Sequence, residues 1–164
     1  MKGFDEMLEA MPALLARNPD LVYLIAGDGN DRARLEQKAA DLGIAAATRF
    51  VGRIPEDRKP DYFRLADVYA MPSRGEGFGF VFIEALACGT PVVAGKFDGG
   101  YEAIMAGKLG MAIDPDDRDA IVEAVSRQLT AVREIPADLR FFDFPNFTDR
   151  IWKALKQTIR LGRG

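Results

Sequence analysis

Arg74-Gly75-Glu76-Gly77-Phe78-Gly79-Phe80-Val81-Phe82-Ile83-Glu84-Ala85-Leu86-Ala87-Cys88-Gly89-Thr90-Pro91-Val92-Val93 is the stretch on which the fold turns. It follows an apolar run, Asp67-Val68-Tyr69-Ala70-Met71, which reads as a strand cut off by Pro72. The chain then turns through glycines at 75, 77 and 79 and opens a helix over 80–88. Glycine lets a backbone approach a ligand closely. A helix start offers unpaired N–H groups and partial positive charge, which together make a diphosphate site. In an open α/β sheet such a loop lies at the carboxyl ends of the strands, where ligands bind. Glu76 and Glu84 are out of place beside a phosphate unless they serve hydroxyls. A carboxylate accepts two hydrogen bonds from a vicinal diol, so one acid suits a ribose and the other a transferred sugar. Taken alone, the loop equally fits an ordinary strand-to-helix turn with Glu84 on a solvated helix face.

Outward from this stretch, strands and helices alternate. Phe4, Met7, Leu8, Met11, Leu14 and Leu15 recur at helical spacing over 4–16, and Asn18-Pro19 ends the helix. Leu21-Val22-Tyr23-Leu24-Ile25-Ala26 is a continuous apolar run, the pattern of a strand buried on both faces. The turn Gly27-Asp28-Gly29-Asn30 leads to a charged helix, about 31–42, stopped at Gly43. Arg49-Phe50-Val51, Pro91–Ala94 and Gly110–Ile113 read as further strands, with short helices at 58–66 and 101–106. Asp114-Pro115 predicts a helix start, with Asp114 as cap and Pro115 at the first helical position, followed by Ile121, Val125, Leu129 and Val132. The segment 133–146 reads as irregular. A last helix repeats Phe147, Ile151, Leu155 and Ile159, and its basic tail (Lys153, Lys156, Arg160, Arg163) reads as a solvated face over an apolar stripe. The alternation implies βαβ units, an α/β fold with a Rossmann-like parallel sheet flanked by helices.

Composition narrows the chemistry. The 164 residues suit one domain, and 48% hydrophobic with 29% charged residues is ordinary for a globular chain. A net charge of −3 leaves no global basic field for nucleic acid. With no histidine and a single cysteine, Cys88, there is no intramolecular disulfide, no usual zinc site and no Ser-His-Asp or Cys-His pair. Cys88 reads as a small packing residue. No apolar run approaches the roughly 20 residues of a membrane span, and the start has no secretory apolar region. The single cysteine fits a reducing compartment.

The stretch 76–93 matches, without a gap, the pattern E-G-F-G-x-x-x-x-E-A-x-A-x-G-x-P-V-V. In this it resembles the retaining glycosyltransferases of the large family 4 group, in the C-terminal lobe of their two-lobed GT-B architecture. Lys2-Gly3-Phe4, Ile25-Ala26-Gly27-Asp28-Gly29, Phe50-Val51-Gly52-Arg53, Asp67–Ser73 and Gly99-Gly100-Tyr101-Glu102 are similar to further segments of that lobe. The resemblance implies that the chain is one nucleotide-sugar-binding domain over 1–164, with 133–164 as wrapping segment and helix. It implies that Glu84 binds ribose hydroxyls and that Glu76, the catalytic candidate, contacts the donor hexose. Gly77, Phe78, Gly79, Phe80 and Val81 would offer backbone N–H groups to sugar and diphosphate, beside Gly27. Lys2 would neutralise the diphosphate, and Arg53 would face the base. The donor would be a UDP- or GDP-sugar, and the reaction hexosyl transfer to an acceptor, in a cytoplasmic setting and with no metal and no cofactor.

The resembled lobe begins with a strand ending in a G-R motif, and the chain starts just after it. That strand is central, so a gap or an exposed edge is expected where it would lie. Expected partners are therefore a separate N-terminal acceptor lobe, or another copy joined through the exposed edge, with little transfer by this chain alone. Two rival readings remain: a non-catalytic or split-gene module that pairs with another chain, and half of an NDP-sugar epimerase or phosphorylase. The lack of histidine and the matched stretch weigh against the latter.

Overall fold

A computed structural model describes residues 2–161. Arg163 and the side chains of Ile159 and Arg160 lie outside the described residues. The elements in chain order are α1 (Phe4–Arg17), β1 (Tyr23–Ala26), α2 (Arg32–Asp41), β2 (Thr48–Gly52), α3 (Lys59–Leu65) and β3 (Tyr69–Met71), then α4 (Phe80–Ala87), β4 (Val92–Gly95), α5 (Gly99–Ala103), β5 (Met111–Ile113), α6 (Arg118–Gln128) and α7 (Phe144–Leu161). The α/β alternation is as the sequence predicts, and all strand pairing is parallel.

Among the described residues the strands form two sheets, β1-β2 and β3-β4-β5, and β1 does not pair with β3. Helices α1, α2 and α6 cover one side of both sheets. Their residues Leu8, Met11, Leu14, Leu35 and Val125 share one core with Ile25 of β1, Val93 of β4 and Ile113 of β5. On the opposite face of the larger sheet, Phe63, Phe82, Leu86 and Ile104 form a second core with Met71, Val92 and Ala94. Alternate residues of β4 thus feed opposite cores, and the whole strand is buried.

Three expectations need correction. The run 21–26 is not buried on both faces. Ile25 joins the first core, but Val22 and Leu24 are 53% and 37% exposed. The reason is that β1 has a paired neighbour on one side only, and the second core does not extend beneath it. Asp114 does not cap α6. It accepts from the Asp116 N–H instead, and the cap is Asp117, whose side chain accepts from the Ala120 N–H at 2.9 Å. The helix also ends at Gln128, which leaves Val132 outside it and exposed.

The irregular segment contains a 3₁₀ stretch, Ala137–Phe142, which anchors itself by burying Leu139 in the second core. Along α7 the apolar residues Phe147, Ile151, Trp152 and Leu155 are exposed. Arg150 stacks its guanidinium 3.7 Å from the Phe141 ring, tying the helix to that 3₁₀ stretch. Among the described residues no helix is long and apolar enough to cross a membrane.

Candidate functional site

The site is built where β3 ends and α4 begins. Gly79 caps α4 in the left-handed conformation, φ 86°, and a Cβ there would meet the Phe82 ring at 2.8 Å, so only glycine fits. No side chain caps this helix. The Phe80 and Val81 N–H groups therefore stay available, with the positive end of the helix dipole, for an anion, whereas the Phe82 N–H donates to the Gly79 carbonyl at 2.9 Å and the Gly77 N–H to Glu76 Oε1 at 3.1 Å. Phe82, fully buried and edge-on to Tyr69 at 5.6 Å, pins the helix to the core. Phe78 packs against Phe80 and Phe142, Val81 lies against the second core, and Phe80 stands 69% exposed at the helix mouth.

The loop 74–79 is held from behind by the β4–α5 turn. Asp98 Oδ2 accepts from the buried Ser73 hydroxyl at 2.7 Å and from the Glu76 N–H at 2.8 Å. Its Oδ1 accepts from the Gly100 N–H at 2.9 Å, capping α5. The Gly99 N–H donates to the Glu76 carbonyl at 2.9 Å. Gly99 approaches so closely that a Cβ would lie 2.2 Å from the Gly77 carbonyl oxygen. Arg74 bridges Glu6 of α1 and Asp116, which fixes the start of the loop against α1.

The two acids behave differently. The Glu76 side chain is only 15% exposed and pairs with the Lys2 ammonium at 2.5 Å. Lys2 reaches it because the buried Gly3 packs directly against the Pro72 carbonyl at the end of β3. Glu84 is 43% exposed on the outer face of α4, with Lys59 at 3.8 Å. Burial pushes the Tyr69 phenol well above its ordinary range, and the charges of Glu76 and Glu84 push it further. The arrangement offers an anion the helix mouth and one ammonium, and offers hydroxyls two carboxylates.

Gly27 and Arg53 belong to the neighbouring loops of the smaller sheet. The Gly27 N–H donates to the Gly52 carbonyl at 2.8 Å, which sets the 27–30 turn beside the exposed Arg53. Gly27, Lys2, Ile25 and Phe50 line an open groove of about 320 Å³. The structure therefore brings Glu76, Lys2 and the residues 77–81 into one place, and ranges Gly27 and Arg53 along the same strand ends. A larger groove, about 670 Å³, lies on the other side of Arg74 among Asp5, Glu6, Glu9 and Asp114–Asp119. Its acidic lining repels phosphate, and size alone does not make it the site.

Sequence reading missed the tie of Asp98 to the loop and the partnership of Lys59 with Glu84. Asp98 carried a signal only as an acid before two glycines, the usual look of a helix cap. Lys59 pairs chiefly with Glu56, at 2.7 Å, and its approach to Glu84 carried no signal, because the two lie 25 positions apart in the chain.

With this geometry in place, comparison with known proteins is direct. The sequence profile described as Glycosyl transferases group 1 matches residues 1–139. The GDP-mannose-dependent alpha-(1-6)-phosphatidylinositol monomannoside mannosyltransferase of Mycolicibacterium smegmatis is 41% identical over 143 residues, covering 83% of this chain. This chain spans only 37% of that relative's length. Sucrose-phosphate synthase from Thermosynechococcus elongatus superposes with a TM-score of 0.75 at 27% identity, over 98% of this chain and 43% of its own. The C-terminal domain of a glycosyl transferase group 1 family protein from Francisella tularensis superposes with a TM-score of 0.72 at 26% identity, over 87% of this chain and 80% of its own. The α/β architecture is that of the GT-B glycosyltransferases. The chain belongs to the glycosyl transferases group 1 family.

Proposed function

We propose that this chain is the donor-binding half of a retaining hexosyltransferase, which holds a nucleotide sugar for attack by an acceptor seated elsewhere. The observation that carries the reading is the uncapped start of α4, flanked by Glu76 with its Lys2 partner and by Glu84. In this reading the N–H groups of Gly77, Phe78, Gly79, Phe80 and Val81 receive the diphosphate. Glu84 takes the ribose hydroxyls and Glu76 the hexose. Lys2 transfers part of its attraction from Glu76 to the diphosphate as charge builds on the leaving group. Arg53 and the Gly27 turn, at the neighbouring strand ends, face the base. The donor is the only small molecule the reading requires, in a cytoplasmic setting. Of UDP and GDP donors, the name of the mannosyltransferase relative favours GDP-mannose.

Transfer needs donor and acceptor held together, and proximity supplies a large share of the barrier reduction. The unpaired edges of β1 and β3 and the uncovered apolar face of α7, among the described residues, support a partner lobe that completes the enzyme. The same features favour a second reading, a module that pairs with another chain without catalysing transfer itself.

The test is titration calorimetry of GDP, GDP-mannose and UDP-glucose into the wild-type chain and Glu84→Ala. Removing a carboxylate that accepts from two ribose hydroxyls weakens nucleotide binding by about tenfold or more. Equal affinities for the two proteins would reject the ribose role.

A further inference from the structure

We propose that Asp98 is a positioning residue for sugar recognition: it fixes the main chain of Glu76 and so aims that carboxylate at the donor hexose. The proposal rests on the donor-binding reading. Both polar backbone groups of Glu76 are held by residues 98 and 99. Its N–H donates to Asp98 Oδ2 at 2.8 Å, and its carbonyl accepts from the Gly99 N–H at 2.9 Å. The same Asp98 oxygen takes the Ser73 hydroxyl at 2.7 Å, and Ser73 is completely buried at the end of β3. The other oxygen takes the Gly100 N–H at 2.9 Å. One carboxylate thus ties the last residues of β3, the glycine loop and the start of α5 into a single unit.

This use of both oxygens separates Asp98 from an ordinary cap. Asp117 caps α6 with one hydrogen bond, from the Ala120 N–H at 2.9 Å. A cap needs one accepting oxygen. At position 98 the second oxygen serves Glu76 and Ser73, 22 and 25 positions back in the chain. Charge-assisted hydrogen bonds of this kind are strong and directional.

The diphosphate and ribose contacts depend less on this tie. Glu84 and the first turn of α4 are anchored through Phe82 in the second core. Glu76 lies ahead of the helix, and among its described contacts only Lys2 and the 98–99 turn hold it to distant parts of the chain. Loosening Asp98 therefore acts on the hexose end of the donor more than on the nucleotide end.

Three variants decide the matter. Asp98→Asn keeps the shape but offers one accepting oxygen, so its amide nitrogen meets either the Gly100 N–H or the Glu76 N–H, donor against donor. Asp98→Ser can still cap α5 but is too short to reach Glu76 and Ser73 as well. Asp117→Asn removes the charge of a capping carboxylate that makes no hydrogen bond to the loop. Two readouts are taken on each: the exchange rate of the Glu76 amide hydrogen without ligand, and the ratio of GDP-mannose to GDP affinity by calorimetry. The expected result is at least tenfold faster exchange at Glu76 in both Asp98 variants. In both, the affinity ratio falls about tenfold while GDP affinity stays within about twofold. Asp117→Asn changes neither. Unchanged exchange at Glu76 in Asp98→Asn, or an unchanged ratio where GDP still binds, overturns the proposal. If the wild-type chain binds neither ligand, the donor-binding reading fails and the sugar-positioning role with it.

Discussion

Gly99→Ala is the substitution that tests the site's packing most severely. The added Cβ would stand 2.2 Å from the Gly77 carbonyl oxygen, 2.5 Å from its carbon and 2.6 Å from Phe78 Cα. Real Cβ atoms essentially never come within 3.0 Å of such atoms, so the glycine loop and the α5 turn must part by at least about 0.8 Å. All three atoms are main chain, so no rotamer change relieves the contact. Overpacking of this kind destabilises by about 1–3 kcal/mol. Displacing a binding loop by about 1 Å has consequences for function out of proportion to that figure. Gly29→Ala is the matched control, because a Cβ at Gly29 meets nothing within 4 Å. Urea denaturation of the three proteins should show a loss of about 1–3 kcal/mol for Gly99→Ala and a change within about 0.5 kcal/mol for Gly29→Ala. GDP affinity should fall about tenfold in Gly99→Ala. If Gly99→Ala were as stable as wild type and bound GDP equally well, the two loops would not be in contact and the site as described would be wrong.

Other consequences are simpler. Phe82→Ala empties a fully buried position beneath α4, and should destabilise the chain by about 3–5 kcal/mol in the same denaturation assay. Stability should also have an acid limb. The side chain of Asp5 accepts two hydrogen bonds from Arg34 and one from Lys38, and the Arg34 pair chiefly holds its carboxyl well below the usual carboxylate range. A carboxyl depressed in the folded state contributes stability that is present above the unfolded value, about 3.9, and is lost as pH falls below it. Melting temperature should therefore drop below about pH 4, and less steeply in Asp5→Asn.

How much of this was legible in the sequence follows from the range of each signal. The path from 76 to 93 could be read because glycine turns, helix starts and buried strands write themselves locally. Gly79 indeed takes the left-handed cap, and β4 is buried throughout. The run 21–26 misled because apolar residues report a wish for burial, not the number of neighbours available. With β1 paired only to β2, Val22 and Leu24 stay partly in water. Asp114 misled for a different reason. Three acids lie within Asp114–Asp117, any of which can cap, and the choice depends on where the backbone finishes turning. The hold of Asp98 on Glu76 was out of reach, because only the close approach of two loops creates it.

The central claim, that the mouth of α4 receives a diphosphate, is tested most directly by titrating the isotope-labelled chain with GDP and with guanosine while following amide resonances. The account predicts that GDP shifts the amides of residues 77–81 strongly and that guanosine, lacking phosphates, leaves them nearly still. If GDP left those amides unmoved, or moved instead the amides around Asp114–Asp119 in the acidic groove, the claim would be contradicted.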